Sequence, residues 1–147
     1  MIVMRKKLLF LTFFTLIFAT VYAQNNRAEV VLNGVNMVPD VQTGASGSVT
    51  IWVESDTLYV KGEFSNLQSY YFASNIHYGG EGETGNPIYK LKPDISEDHT
   101  SGIFDPEKNK FKLSDAMLEA FNNGNLYITV ASDDNRRGEI RGQINSY

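Results

Sequence analysis

The sequence predicts an all-β domain with one short helix, folded as an antiparallel sandwich or Greek-key barrel. Short segments in which apolar and polar residues alternate recur along the chain, as in strands with one buried face. Clusters of glycine, proline, asparagine and aspartate separate these segments and are typical of turns. One segment, residues 114–122, has helical spacing instead. Several short strands joined by turns favour a sandwich or barrel.

The N-terminus predicts a secretory signal peptide, residues 1–23. Basic residues at positions 5–7 precede an almost wholly apolar run at 8–19, and Val-Tyr-Ala at 21–23 provides a cleavage site. The apolar run is short for a membrane span, so an uncleaved anchor is the less favoured alternative. The chain contains no cysteine, which excludes a lipid-modified cysteine anchor. We therefore expect an exported protein, either periplasmic or secreted.

Cleavage after Ala23 would leave residues 24–147, a length that suits one domain. Removing three of the 13 basic residues leaves 10 against 17 acidic ones, a formal charge of −7. Such an acidic domain is poorly suited to nucleic acids or anionic membranes. The absence of cysteine also excludes disulfides, zinc–thiolate sites and thiol nucleophiles.

The first half of the domain predicts three strands, at residues 29–32, 47–54 and 57–64. If Ser55-Asp56 is a two-residue turn, Val53 faces Leu58 and Trp52 faces Tyr59 across the hairpin. The inward rows of this hairpin are then Val49, Ile51 and Val53 on one strand and Leu58, Val60 and Phe64 on the other. Trp52 and Tyr59 lie on the outer face.

The middle of the chain predicts an aromatic-rich strand at residues 71–78. Residues 79–87 contain four glycines and a proline and are read as a loop. Residues 88–91 and 100–104 are short strand candidates on either side of an acidic loop at 94–98.

Residues 114–122 predict a helix of about two turns that connects two strands. Met117, Leu118 and Phe121 have helical spacing, and Ser114 can cap the N-terminus. Leu113 and Leu118 occupy the positions of a hydrophobic staple. Gly124 can end the helix in a left-handed conformation.

The C-terminal residues predict two half-buried strands joined by a polar loop at 133–138. In the first, Leu126, Ile128 and Val130 point one way, and Tyr127, Thr129 and Ala131 point the other. In the second, Ile140 and Ile144 share one face, and Glu139, Arg141 and Gln143 share the opposite, polar face. We interpret Arg141 as a structural hydrogen-bond donor, with a ligand clamp as the alternative.

The closing Gly-Glu-Ile-Arg-Gly-Gln at residues 138–143 resembles the end of the CHRD (chordin-type) domain. The Gly-x-Leu-Tyr strand at 124–128 is similar to a second motif of that family, and the glycine-rich loop that leads to Pro87 fits its pattern as well. The opening pattern also matches at Leu32, Gly34, Val38, Pro39, Thr43, Ala45 and Gly47. The resemblance covers residues 30–143 and implies an immunoglobulin-like β-barrel related to copper/zinc superoxide dismutases. It also implies kinship with animal chordins, which bind growth factors, and with bacterial exported proteins of unknown role.

Two positions depart from the family pattern and bear on metal binding. The family usually has His-Ile-His where this chain has Asn75-Ile76-His77, and often has a histidine where Ala131 stands. Residues 75 and 77 share a strand face, but a copper or zinc site needs three or four converging ligands. We therefore interpret His77 as a hydrogen-bonded surface or loop-anchoring residue, with metal ligation as the alternative. His99 is the only other histidine in the chain.

Two acidic clusters could supply oxygen ligands to calcium: Asp133-Asp134-Asn135, and Asp94 with Glu97 and Asp98. Both lack the spacing of a calcium-binding loop, so solvated turns are favoured and calcium remains the alternative.

Exposed aromatic and polar residues are the candidate binding residues, because exposed aromatics often mark interaction surfaces. They are Trp52, Tyr59, Asn75, His77, Tyr78 and Arg141. No Ser-His-Asp pattern is recognisable. We predict an exported, non-catalytic binding domain without a cofactor, whose partner is a protein or glycan in the envelope or outside the cell. The alternatives are a metal-binding, superoxide-dismutase-like protein and a structural envelope or matrix protein.

Overall fold

A computed structural model describes residues 27–145, so the predicted signal peptide lies outside the described residues. These residues form ten strands, a single turn of 3-10 helix at Gly34–Asn36 and one α-helix, α1, at Asp115–Asn122. The strands are β1 (Arg27–Asn33), β2 (Ser46–Glu54), β3 (Thr57–Ser65), β4 (Tyr71–Tyr78), β5 (Pro87–Lys90), β6 (Asp94–Ile95), β7 (Gly102–Phe104), β8 (Lys110–Lys112), β9 (Leu126–Ser132) and β10 (Ile140–Ile144). The prediction of an all-β fold with one short helix is confirmed.

The strands form one antiparallel sheet in the order β5-β4-β9-β10-β1-β2-β3-β7-β6, with β8 paired to β3. Although β3 and β4 follow each other in the chain, four strands lie between them in the sheet. The connection between β3 and β4 therefore passes across the four intervening strands. No helix within residues 27–145 combines the length and the apolar character of a bilayer-spanning segment.

The β2–β3 hairpin has the predicted register. Val53 pairs with Leu58 and Trp52 with Tyr59, so the turn between the strands has two residues. Ile51 and Leu58 are fully buried, and the Trp52 ring stacks on the Tyr59 ring with centroids 5.3 Å apart. The aromatic pair therefore lies on the outer face, opposite the core.

Helix α1 begins and ends as predicted. The Ser114 Oγ accepts the N–H of Met117 at 3.3 Å. At the other end, Gly124 has a φ of 69°, its N–H donates to the Phe121 carbonyl, and the next N–H donates to the Ala120 carbonyl at 2.8 Å. This is the Schellman arrangement, in which a glycine tolerates the left-handed backbone.

Side chains join β5, at one edge of the curled sheet, to β8 and β3. The Tyr89 ring of β5 contacts the Phe111 ring of β8, with centroids 5.0 Å apart. Asn109 is fully buried: its amide donates to the Lys92 carbonyl at 3.1 Å and accepts the Lys92 N–H at 2.7 Å. The Asn109 carbonyl accepts the N–H of Val60 in β3. The sequence pattern does not indicate β8, and the whole of β6 lies within the predicted acidic loop at 94–98, because two or three residues are too few for an alternating pattern.

The prediction that β9 and β10 are half-buried is wrong. All seven residues of β9 are buried, and Glu139 and Arg141 are 0% and 3% exposed. The outer face is covered because residues 79–86, here called the glycine loop, and the segment after β1 fold over it. Arg141 donates to two carbonyls of the glycine loop, and the Asn36 amide donates to the Arg141 carbonyl at 3.2 Å.

Candidate functional site

A cleft of about 430 Å3 opens on the outer face of the sheet, over β4, β9 and β10. We call it the outer cleft. Side chains from these three strands form its floor: Asn75, His77, Tyr127, Thr129, Ala131 and Arg141. Met37 and Val38 lie on one side, Thr84, Gly85 and Pro87 on another, and Arg136 and Arg137 at the rim. Three of the six predicted binding residues, Asn75, His77 and Arg141, therefore meet at one site.

Strand register explains why these side chains meet. Asn75 pairs with Thr129 across β4 and β9, and Thr129 pairs with Arg141 across β9 and β10. His77 pairs with Tyr127 in the next row of the same face. Directly opposed residues in an antiparallel sheet project on the same side, so alternation along each strand brings this set together.

His77 holds the glycine loop against the sheet. Its Nδ1 lies 3.0 Å from the Gly85 carbonyl, and its Nε2 lies 3.0 Å from the Thr129 Oγ1. A carbonyl only accepts, so Nδ1 carries the hydrogen, and Nε2 of the neutral ring accepts from Thr129. Burial lowers the pKa of His77, and the charge of Arg141 lowers it further against the opposing effect of the Gly85 bond. Both conditions favour the neutral ring.

Arg141 brings a buried positive charge to the floor of the cleft. Its guanidinium carbon lies 3.6 Å from the centre of the Tyr127 ring. Its Nη1 donates to the Glu83 carbonyl at 2.6 Å, and its Nη2 donates to the Gly80 carbonyl at 2.9 Å. Within the described chain no carboxylate forms an ion pair with it. Burial lowers the pKa of Arg141, but an arginine starts so far above neutrality that it keeps its charge.

The glycine loop is a fixed wall. Gln143 donates to the Gly79 carbonyl at 2.9 Å, and the Tyr127 hydroxyl accepts the Gly85 N–H at 2.9 Å. A Cβ on Gly85 would lie 1.7 Å from the Tyr78 carbonyl oxygen, so only glycine fits at this position. The wall therefore depends on close contact between the loop backbone and β4.

The rim and the floor each contain a side chain that makes no hydrogen bond within the fold. Arg136 stacks over the Phe72 ring at 4.8 Å and pairs with Asp133 at 3.3 Å. Arg137 is exposed, and neither its guanidinium nor the Asn75 amide has a hydrogen-bonding partner among residues 27–145. Arg137 and Asn75 can therefore bind a ligand without breaking a contact of the fold.

The other predicted binding residues lie elsewhere. Trp52 and Tyr59 form a separate patch on β2 and β3, where the Arg27 guanidinium covers the Trp52 ring at 4.9 Å. The Trp52 indole N–H donates to the Glu54 carboxylate. Tyr78 is 50% exposed and does not line the outer cleft. The structure does not bring these three together with His77.

The residues present do not fit the copper or zinc site that the family resemblance implies. Both ring nitrogens of His77 are engaged, and the positions of two further histidines hold Asn75 and Ala131. In the described part of the chain, no three His, Cys, Asp or Glu residues are grouped to hold a metal ion. Of the acidic residues considered for calcium, Asp94 pairs with Lys108 and Asp133 with Arg136.

Sequence reasoning missed Glu139 and the two rim arginines. The Glu139 carboxylate accepts hydrogen bonds from the Thr43 hydroxyl at 2.5 Å, the Gln68 N–H at 2.9 Å and the Ser132 hydroxyl at 2.5 Å. These partners lie 7 to 96 residues away along the chain, so no local pattern indicates them. Arg136 and Arg137 lie in a polar loop, whose position over the sheet depends on long-range packing.

Comparison with known proteins gives one match. A family model described as the CHRD domain matches residues 28–144. No curated protein and no solved structure matches the chain. The match spans β1 to β10 and includes every residue of the outer cleft.

Proposed function

Because the chain belongs to the CHRD domain family, we propose that it is an exported binding domain without catalytic activity, and that the outer cleft is its ligand site. The observation that carries the proposal is a rigid floor combined with two polar side chains, Asn75 on the floor and Arg137 at the rim, that have no hydrogen-bonding partner within residues 27–145. His77, Tyr127 and Arg141 are fixed by one another and by the glycine loop. The side chains of Asn75 and Arg137 have no hydrogen-bonding partner within residues 27–145, so they are available to bind a ligand. A preorganised cleft that presents a few free polar groups is typical of binding sites.

The chemistry of the floor supports binding over catalysis. A general base needs a free nitrogen or oxygen within reach of the proton that it removes. His77 uses both nitrogens within the fold, and the Tyr127 hydroxyl both donates to and accepts from Gly85. These groups hold the loop in place and leave no free acid–base pair on the floor.

The proposed export rests on the N-terminal sequence. The basic start, apolar run and cleavage site at residues 1–23 support a secretory signal peptide. The partner would then be a protein or glycan in the envelope or outside the cell.

A capture experiment tests the proposed function. Immobilised chain 24–147 is exposed to envelope and medium fractions, beside an Arg137→Ala variant and a Lys61→Ala control. Lys61 is an exposed residue of β3 that does not line the outer cleft, so its variant removes the same charge elsewhere. We expect a partner that the unaltered chain and the control retain and that the Arg137 variant loses. Equal retention by all three, or capture of nothing as expected of a purely structural protein, would contradict the proposal.

The second candidate, a metal-dependent redox protein, is suggested by the family resemblance and has a separate test. We expect elemental analysis of the purified chain to find no stoichiometric copper or zinc, and we expect no superoxide dismutation, because His77 has no free ring nitrogen. About one tightly held transition metal per chain, lost in His77→Ala, would favour the second candidate.

A further inference from the structure

The charge of the outer cleft is opposite to that of the chain. The sequence carries a formal charge of −4, yet Arg136, Arg137 and Arg141 line the cleft and no aspartate or glutamate does. One of these arginines, Arg136, is offset by its pair with Asp133. The other two have no carboxylate partner in the described part of the chain. The site therefore attracts an anion.

Arg141 and Arg137 would interact with that anion in different ways: Arg141 by electrostatic attraction, and Arg137 by direct hydrogen bonds. Arg141 is 3% exposed. Carbonyl groups, the Gln143 amide oxygen and the Tyr127 ring contact its guanidinium, and Glu81 acts on its charge only from beyond ion-pair distance. A buried, unpaired cation produces a strong local field because little water screens it. Arg137 is exposed and unengaged, so its planar guanidinium can form two parallel hydrogen bonds with a carboxylate.

The other groups that line the cleft match neutral hydroxyls and C–H groups. The Asn75 amide has no partner within residues 27–145 and can both donate and accept, and the Thr84 hydroxyl at the loop is exposed. Met37 and Val38 give the opposite side an apolar surface. The volume of about 430 Å3 lies within the range of about 300–1,000 Å3 that holds small ligands.

Resting on the proposed function, we infer that the ligand of the outer cleft is an acidic sugar, a hexose-sized unit that bears a carboxylate, as in a uronic acid. The carboxylate binds Arg137 and is attracted by the positive charge of Arg141. The ring hydroxyls form hydrogen bonds with Asn75 and Thr84. A C–H face of the ring packs on Met37 and Val38. An inorganic phosphate or an acidic peptide side chain satisfies the arginines alone and leaves Asn75 and Thr84 without partners. A sugar acid uses both kinds of group.

Nuclear magnetic resonance titration of 15N-labelled chain 24–147 tests this inference. The probes are a galacturonic acid trimer, the neutral glucose trimer maltotriose, a triglutamate peptide and inorganic phosphate. We expect the uronate trimer to shift amide signals of the cleft and to bind at least tenfold more tightly than the other three. Arg137→Ala should weaken uronate binding at least tenfold, a change of about 1.4 kcal/mol or more, because the variant loses both hydrogen bonds to the carboxylate. Asn75→Ala should weaken it several-fold, and Lys61→Ala should leave it unchanged.

The outcomes separate this inference from the proposed function. Equal binding of maltotriose, tighter binding of triglutamate or phosphate, or no uronate binding overturns the acidic-sugar ligand. If a captured partner still depends on Arg137 in those cases, the cleft remains a binding site for another ligand. If uronate shifts signals outside the cleft and capture is independent of Arg137, both proposals fail. Arg137 is exposed and its side chain has no hydrogen bond or ion pair within residues 27–145, so we expect its variant to keep the fold and the comparison to remain valid.

Discussion

At the scale of single residues, two buried charges two positions apart distinguish this domain. Glu139 accepts three hydrogen bonds, and Arg141 donates to backbone carbonyls and packs on Tyr127. Alternation predicted correctly that Arg141 and Gln143 lie opposite Ile140 and Ile144, since strand parity is a local property. The prediction that this face is exposed is wrong, because the segments that cover it come from distant parts of the chain. The sequence therefore predicted that Asn75 and His77 share a strand face and that Arg141 lies on a polar face, but not that a loop covers them.

The hydrogen bonds of Glu139 predict a large effect of its removal. Glu139→Ala leaves the Thr43 hydroxyl, the Gln68 N–H and the Ser132 hydroxyl without their acceptor, and we expect a loss of about 3 kcal/mol in the free energy of unfolding. Glu139→Gln keeps one oxygen and should cost less, about 1 kcal/mol. Urea unfolding of both variants measures the difference. Equal stability of the alanine variant and the unaltered chain would contradict this role.

His77 predicts a pH-dependent contribution to stability. Its pKa in the folded chain is lowered, chiefly by burial, so the folded state binds the proton less readily than the unfolded state. The contribution is fully present above the ordinary histidine pKa of about 6.5 and is lost as the pH falls through the lower folded value. We expect the urea midpoint to fall between pH 7.5 and pH 5, and His77→Gln to flatten that dependence. His99→Asn, at an exposed histidine with a left-handed backbone, is the control and should retain it.

At the scale of elements, prediction succeeded where alternation ran for seven or more residues between clear turns. β2, β3 and β4 lie where the pattern placed them, and the two-residue turn at Ser55-Asp56 fixed the hairpin register. β6 and β8 have two and three residues and owe their pairing to neighbouring strands. No local pattern distinguishes such segments from loops. Helix α1 was predictable because its signals, a cap and a terminal glycine, are local.

The cap of α1 gives a prediction for this element. Ser114→Ala removes the acceptor of the Met117 N–H, and we expect it to lower the free energy of unfolding by about 1 kcal/mol. Ser114→Asp keeps an acceptor at the helix N-terminus and should retain most of the stability. Denaturant melts of the two variants give the comparison. Identical melts of the alanine variant and the unaltered chain would argue against a stabilising cap.

At the scale of the whole molecule, side-chain contacts link β5 to strands with which it has no backbone pairing. The sheet ends at β5 on one side, and the contacts of Asn109 and of Tyr89 with Phe111 join that end to β3 and β8. This closure could not be predicted, because it depends on the curvature of the complete sheet. The core within it consists of buried residues from both halves of the chain, including Leu32, Ile51, Phe104 and Ile128.

Loss of Asn109 should therefore loosen the closure. Asn109→Ala removes a fully buried side chain together with its hydrogen bonds to the N–H and carbonyl of Lys92, and we expect a cost of about 2–4 kcal/mol. Asn86→Ala, at an exposed asparagine in the glycine loop, is the matched control and should change stability little. Thermal and urea unfolding of the two variants measure this. A loss no greater than that of the control would show that the closure does not depend on this side chain.

Burial of both faces of β9 affects how the domain unfolds. Its backbone pairs with β4 on one side and β10 on the other, and both of its faces are covered. In deuterated water, amide protons of such a strand exchange only when the whole domain unfolds, whereas those of an edge strand exchange through local fluctuations. We expect residues 126–132 to hold their protons longest, with exchange free energies that match the global stability, and the edge strand β5 to lose its protons early. Early exchange at β9 would mean that the covering loop lifts away while the rest of the sheet stays intact.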